Sequence, residues 1–430
     1  MALLSLQHHT TTLESGLTVI VVPMPGVHRV VLDAHLRVGP RYESPAQNGI
    51  SHFLEHMLYR GTPRHPSAHA QALAFERLGG TLVAATYIDH MSMAFSVPPE
   101  NLDAVLPLFA EVYREPIFDG IEIEKGIVRE EIIEGLDDEG NDVDADTLLR
   151  ALTFSNHPLG YPITGDLDRL ESFDVPLLKQ HHAAHYHGRG TVLAIAGPVD
   201  ADRVFAQVEH CFQGLGSGGE PHSTAPDEQR KPRFSFVRHS ASSQTDLRVS
   251  FRAPGENDAD EPAMELLLRI LDDGMSTRLY HQICDARGLC YDVSAGYEAY
   301  ADSGLVDLAA ESAHERATQV LDELFKVVEE LRDQGPSGEE LARAKQRYGW
   351  QLTEMLDDPG EAADFYALGQ LTGVARTPAE RLEQLTNVSH EHVRAAAQRI
   401  FRRHNLAVVA VGLLPRRAQE ALARRTQEFG

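Results

Sequence analysis

The sequence predicts an α+β protein built from two homologous domains, and three observations lead there. At 430 residues the chain exceeds what one hydrophobic core usually organises. Near its middle, Gly214–Lys231 reads GLGSGGEPHSTAPDEQRK, rich in Gly, Ser, Pro and charge with almost nothing to bury, which marks a linker. A strand–turn–helix unit also recurs, as TVLAIAGPVDADRVFAQVEHCF at Thr191–Phe212 and NLAVVAVGLLPRRAQEALARR at Asn405–Arg425. Gly197 and Gly412 hold matching places in the two copies, 215 residues apart, and a helix-like stretch precedes each. Shared order at a half-chain offset indicates an internal duplication. The expected organisation is a first domain over residues 1–215, a linker over 216–232 and a second domain over 233–430.

The elements follow from periodicity. Residues 28–38 alternate apolar and polar as a strand, and 49–59 have helical spacing. Residues 80–85 and 91–97 read as paired strands joined by a turn, and 102–113 and 121–136 as helices. In the second half, 244–252 reads as a strand, and 261–271 and 318–334 as helices. Sheets with segregated helices, twice over, make an α+β architecture.

Composition narrows the function. With 39 Lys and Arg against 64 Asp and Glu, the net charge of −25 excludes a nucleic-acid partner, since phosphate binding needs clustered basic residues. No run approaches the length a membrane span needs, and the start, MALLSLQHHTTTLESGLTVIVV, has neither a basic leader nor a small-residue cleavage site. Three cysteines, Cys211, Cys284 and Cys290, are odd in number and lack a CxxC pair. That argues against a disulfide framework and fits a reducing compartment, with the cytoplasm as the expectation.

The chemistry-bearing segment is PAQNGISHFLEHMLYRGT, Pro45–Thr62. On a helix, His52 and His56 lie four apart on one face and can turn nitrogens toward one ion. Catalytic zinc uses three protein ligands and leaves a fourth position for water. Glu55, near the same face, can take a proton from a water that the metal has acidified. This H-x-x-E-H order is the inverzincin arrangement. Two solvated histidines on an amphipathic helix would be the bland alternative, but Ile50, Phe53, Leu54, Met57 and Leu58 bury much of the helix. Histidines among them need compensation. A third ligand is available from the acidic stretch IEIEKGIVREEIIEGL, where Glu124 and Glu131 lie two turns apart. Glu122, Glu130 and Glu134 read as a solvated stripe, although spacing alone does not choose between Glu130 and Glu131.

The chain resembles the pitrilysin and mitochondrial processing peptidase family, in its short-chain branch. GISHFLEHMLYRGT, LGGTLVAATYIDHMSM, EIEKGIVREEI, NHPLGYPITGD, TVLAIAGPVD, DDGMSTRLYHQI and RGLCYDVSAGYEAYADSG carry the resemblance in family order over most of the chain. It implies a Zn2+ peptidase with two homologous α+β domains facing each other around a chamber. It selects Glu131, 75 residues after His56, as the third ligand, and gives Glu124 a supporting role that orients a ligand. It implies that peptides add a strand to the edge at residues 80–86, and that Tyr291 binds or polarises the substrate from the second domain.

Two departures bear on activity. Val83 stands where the family's substrate strand usually carries Asn, and Cys284 occupies the position of an Arg that pairs with the Tyr seven residues later. Cysteine cannot make a guanidinium's charge-assisted hydrogen bonds. The resemblance therefore implies either a homodimer or a heterodimer with a homologous subunit carrying the Arg/Tyr pair. A non-catalytic scaffold subunit of the same fold is the rival function.

Other motifs are set aside. KQHHAAHYHGRG places His181 and His185 at ligand spacing but holds no glutamate base. GLGSGG lacks the Gly-Lys-Ser/Thr of a phosphate loop. Cys284 and Cys290 read as packing residues, because the nearby His281 is a weak candidate base for a cysteine nucleophile.

Overall fold

The computed structural model describes residues 6–219 and 221–430; residues 1–5 at the start of the expected first domain and residue 220 of the expected linker lie outside the described residues. The first half supplies β1 (His9–Thr12), β2 (Thr18–Pro23), β3 (Val30–Leu36), β4 (Val83–Thr86), β5 (Met91–Val97) and β6 (Thr191–Gly197). The second supplies β7 (Arg233–Arg238), β8 (Thr245–Ala253), β9 (Val293–Ala299), β10 (Gly304–Ser312) and β11 (Leu406–Gly412).

The duplication is visible in strand order. The first sheet runs β1-β2-β6-β3-β5-β4 and the second β7-β11-β8-β10-β9. Without β1, the two lists correspond strand for strand. In each, one parallel pair, β2 with β6 and β7 with β11, is followed by antiparallel neighbours. Gly197 and Gly412 close equivalent strands with φ of 147° and 156°, a backbone region that side chains avoid. A Cβ there would lie 2.7 Å from the Arg29 carbonyl oxygen in one copy and 3.0 Å from that of Gln244 in the other.

The chain forms two compact units, and neither is continuous in sequence. One comprises Met1–Glu134, Tyr161–Thr224 and Gln351–Glu380; the other comprises Gly135–Gly160, Ala225–Trp350 and Arg381–Gly430. Against a single boundary at 216–232, each unit thus takes a segment from the far side of the linker. The reason is that each central strand is apolar on both faces and needs cover on both. In the first unit Val192, Ala194 and Ala196 of β6 pack on Ala363, Ala367 and Leu371 of the helix Pro359–Thr372. In the second, Ala407, Val409 and Val411 of β11 pack on Ala145 and Leu149 of the helix Ala145–Thr153. The alternate residues of β11, Leu406, Val408 and Ala410, face the larger core with the helices Ala317–Gln334 and His390–Ile400.

β4 is shorter than the expected 80–85 strand, beginning at Val83. It pairs with β5 from Val83–Ala94 to Thr86–Met91 and forms one edge of its sheet.

Candidate metal centre

The histidine segment forms the helix Ile50–Met57, whose N-cap is Gly49 at φ 94°. A Cβ at Gly49 would meet the Thr164 carbonyl oxygen at 2.6 Å, so that turn admits glycine. No N-cap side chain closes the helix. Instead Glu43, buried, accepts from the Gly49 N–H at 2.8 Å, the Ser51 N–H at 2.9 Å and Asn48 Nδ2 at 2.9 Å. Its carboxyl, whose pKa burial raises despite these donors, thus satisfies amides that the helix leaves orphaned. Spacing did not reveal this cap, because it lies six residues before Gly49.

Packing holds the helix rigid. Ile50, Phe53, Leu54 and Met57 are fully buried, and the helices Val175–His185 and Ile121–Glu134 lie against it. His181 of the first neighbour, buried, shares a hydrogen bond with Ser51 Oγ at 3.1 Å, and His182 Nε2 reaches the Tyr113 carbonyl at 2.9 Å. These histidines bond to their surroundings, and among the described residues no third ligand gathers to them.

His52, His56 and Glu131 converge: Nε2 of His52 lies 3.3 Å from Glu131 Oε1, and Nε2 of His56 lies 3.5 Å from Oε2. Donor atoms bound about 2.0–2.2 Å from a tetrahedral ion sit about 3.3–3.6 Å apart. The two spacings fit that edge and are long for hydrogen bonds. His52 Nδ1 is buried without a hydrogen-bond partner. Two imidazoles and a carboxylate form a donor set suited to zinc.

Glu124, buried on the same acidic helix, takes the other nitrogen of His56, with Nδ1 and Oε1 2.9 Å apart. Nδ1–H as donor leaves the Nε2 lone pair toward Glu131. Arg60 Nη1 stands 3.4 Å from the second Glu124 oxygen. Burial opposes charge on His56, but Glu124 and Glu131 outweigh it and raise the imidazole to about 9 without metal. The same histidines hold the Glu131 carboxyl well below the usual carboxylate range.

Glu55, 9% exposed, lies on the same helix as the two histidines, and Thr86 Oγ1 of β4 donates to its Oε2 at 2.6 Å. Tyr59 OH accepts the Ala84 N–H of β4 at 2.6 Å. The Thr86 and Tyr59 bonds join segments tens of residues apart in sequence, so local spacing carried no signal for them. Glu122, Glu130 and Glu134 are exposed, and Glu122 pairs with Lys125 at 3.3 Å.

In the second unit, Tyr291 lies in the loop before β9 and is 93% exposed. Cys284 and Cys290 are free thiols whose Sγ atoms are 3.5 Å apart, packed on the second unit's core. Arg287 is engaged by Glu323 at 2.9 Å.

Comparison with known proteins gives a consistent set of matches. Residues 19–167 match the insulinase family, peptidase family M16, and residues 172–348 match the description "Peptidase M16 inactive domain". An uncharacterized zinc protease of Mycobacterium tuberculosis is 31% identical over 93% of this chain and 92% of its own. One of Bacillus subtilis is 28% identical over 91% and 95%. A protease from Helicobacter pylori shares the fold at a TM-score of 0.88 and 20% identity, covering 95% of this chain and 99% of that one. A structure titled as a peptidase M16 inactive domain, from Pseudomonas fluorescens, follows at 0.87 and 22%, covering 95% and 98%.

Proposed function

We propose that this chain, which belongs to the M16 (insulinase) family of peptidases, is a zinc metalloendopeptidase acting on peptides or unfolded segments. The observation that carries the reading is the convergence of His52, His56 and Glu131 from two helices, with Glu55 on the same helix as the histidines.

His52, His56 and Glu131 would hold zinc, which would supply Lewis acidity toward a carbonyl and acidify a water to a pKa of about 7. The remaining steps belong to the chain. Glu55 takes the proton of the attacking water and returns it to the leaving amine. Thr86 occupies Oε2 of Glu55, which leaves Oε1 for that proton. Glu124 holds His56 in the tautomer that keeps Nε2 available. An extended substrate gains main-chain partners along β4, the sheet edge that carries Thr86. Tyr291 contacts the substrate, a role resting on the family match at RGLCYDV.

With Cys284 in place of the family's Arg, the enzyme works as a homodimer or with a homologous subunit that provides the Arg/Tyr pair. Its three free cysteines support a cytoplasmic location. Among the described residues, no helix is long and apolar enough to cross a membrane.

Replacing Glu55 with Gln tests the mechanism. Zinc content should be unchanged, while cleavage of a peptide library falls at least about a hundredfold, the scale of a lost general base. Full cleavage by Glu55→Gln would sink the reading. The rival, a scaffold subunit, draws on the match of residues 172–348 to the inactive-domain description. It predicts purified protein without stoichiometric zinc.

A further inference from the structure

A second group of metal-competent side chains lies on the first unit's sheet, at the face covered by the helix Pro359–Thr372. Asp33 and His35 alternate along β3, so both point to that face. Asp364 reaches toward them from the helix. Oδ2 of Asp33 lies 3.2 Å from His35 Nε2, and Oδ1 of Asp364 lies 3.3 Å from the same nitrogen. We propose that Asp33, His35 and Asp364 bind a divalent cation of the zinc or manganese class, which clamps the helix Pro359–Thr372 to the sheet.

The surroundings give the side chains little else to do. Asp33 is 6% exposed and His35 1%. Much of the face is apolar, formed by Ile20, Val22, Val31, Val192, Ala194 and Ala196 against the helix. On the neighbouring strands, Asp33 is flanked by Ala94 and Ala194, and His35 by Ser92 and Val192. His35 Nε2 is paired with the two carboxylates, while His35 Nδ1 and Asp33 Oδ1 make no hydrogen bond. Buried polar atoms left in that state are costly, and a bound cation removes the cost.

The distances point the same way. Three donor atoms within 4.8 Å of one another can share one ion. Spacings of 3.2 and 3.3 Å fall between the edges of octahedra and tetrahedra around an ion bonded at about 2.1–2.2 Å, about 3.0–3.6 Å. One imidazole with two carboxylates suits zinc or manganese. Asp364, with its side chain 53% exposed, gives the ion a route from solvent. Nearby cationic charge is engaged elsewhere, since Arg37 Nη2 donates to the Leu371 carbonyl at the helix end. His90 stacks on His35 with ring centroids 5.6 Å apart, making that wall aromatic.

The function of such an ion is structural. It would fasten a helix from the second half of the chain onto the sheet built by the first half, far from it in sequence. A metal-free alternative exists, an imidazolium held between two carboxylates, and metal counting separates the two.

The test strips full-length protein of metal, dialyses it against excess Zn2+ and measures metal by mass spectrometry. Wild type should hold two equivalents, and Asp364→Asn one. The His52→Ala/His56→Ala variant should hold one, and its combination with Asp364→Asn none. Asp364 is exposed, so its replacement should not unfold the chain, which circular dichroism checks. As a second readout, added Zn2+ should raise the melting temperature of His52→Ala/His56→Ala, and not that of the triple variant. One equivalent in wild type, lost in His52→Ala/His56→Ala and untouched by Asp364→Asn, would overturn the second site and leave the peptidase reading standing. One equivalent lost only in Asp364→Asn would do the reverse.

Discussion

Replacing Glu124 with Gln isolates the contribution of a residue that does not itself reach the proposed metal position. Glu124 is 5% exposed and divides its oxygens between His56 Nδ1, at 2.9 Å, and Arg60, at 3.4 Å. Gln preserves the volume but carries one acceptor oxygen and an amide NH2 with two donors. If its carbonyl faces His56, its amide group faces the Arg60 guanidinium, donor against donor. If it flips, His56 Nδ1 loses its acceptor. Either way the imidazole loses the negative partner that raises the basicity of its far nitrogen. Loss of such a partner commonly costs about 10–100-fold in metal affinity, equivalent to about 1.4–2.8 kcal/mol. Zinc dissociation constants from competition with a chromogenic chelator, compared between wild type and Glu124→Gln, measure it directly. Glu122→Gln, on the same helix but exposed and paired with Lys125, is the control and should bind as wild type does. An unchanged constant for Glu124→Gln, or an equal loss for both variants, would refute the argument from orientation.

Three other perturbations have defined outcomes. The raised His56 value of about 9 stabilises metal-free protein below the unfolded value near ~6.5, and this stability fades as pH rises through 9, by at most about 3 kcal/mol. Zinc requires the neutral ring, so zinc affinity should climb over the same window; melts of chelated protein that are flat from pH 6.5 to 9 would contradict this. In the second unit, Arg381 and Glu261 are both buried and share two hydrogen bonds of 2.6 Å. Arg381→Ala should cost about 3–5 kcal/mol in denaturant unfolding by stranding the carboxylate, and a loss below about 1 kcal/mol would show the pair to be solvated. Tyr59→Phe releases the Ala84 N–H on β4, so peptide KM should fall severalfold with kcat held; an unchanged KM would mean that substrates do not pair there.

What the linear chain discloses and what it conceals can be seen residue by residue. Glu130 and Glu131 are adjacent and chemically identical, so helical spacing could not separate them. In the fold both are exposed, and it is Glu131 that reaches both histidines. The expected strand at 80–85 begins at Val83, because pairing with β5 rather than propensity sets its ends. Asp33 and His35 sit in an alternating strand and read as ordinary outward polar residues. Their burial depends on a helix more than 300 residues away.

The sequence by itself determined the features that depend on local order: the helix pairing His52 with His56, the acidic helix bearing Glu124 and Glu131, and the duplication seen at Gly197 and Gly412. Helical and strand periodicities are local, and a repeat preserves them. Only the tertiary structure decided which helix covers which sheet, sending Ala145–Thr153 to the second unit and Pro359–Thr372 to the first. It alone placed Glu43 on the amides of the motif helix, Thr86 on Glu55 and Asp364 beside His35. An apolar helical face carries no address, since burial is non-directional and any sheet of suitable shape satisfies it. The address is written in packing, hydrogen bonds and charge that exist once distant segments have met.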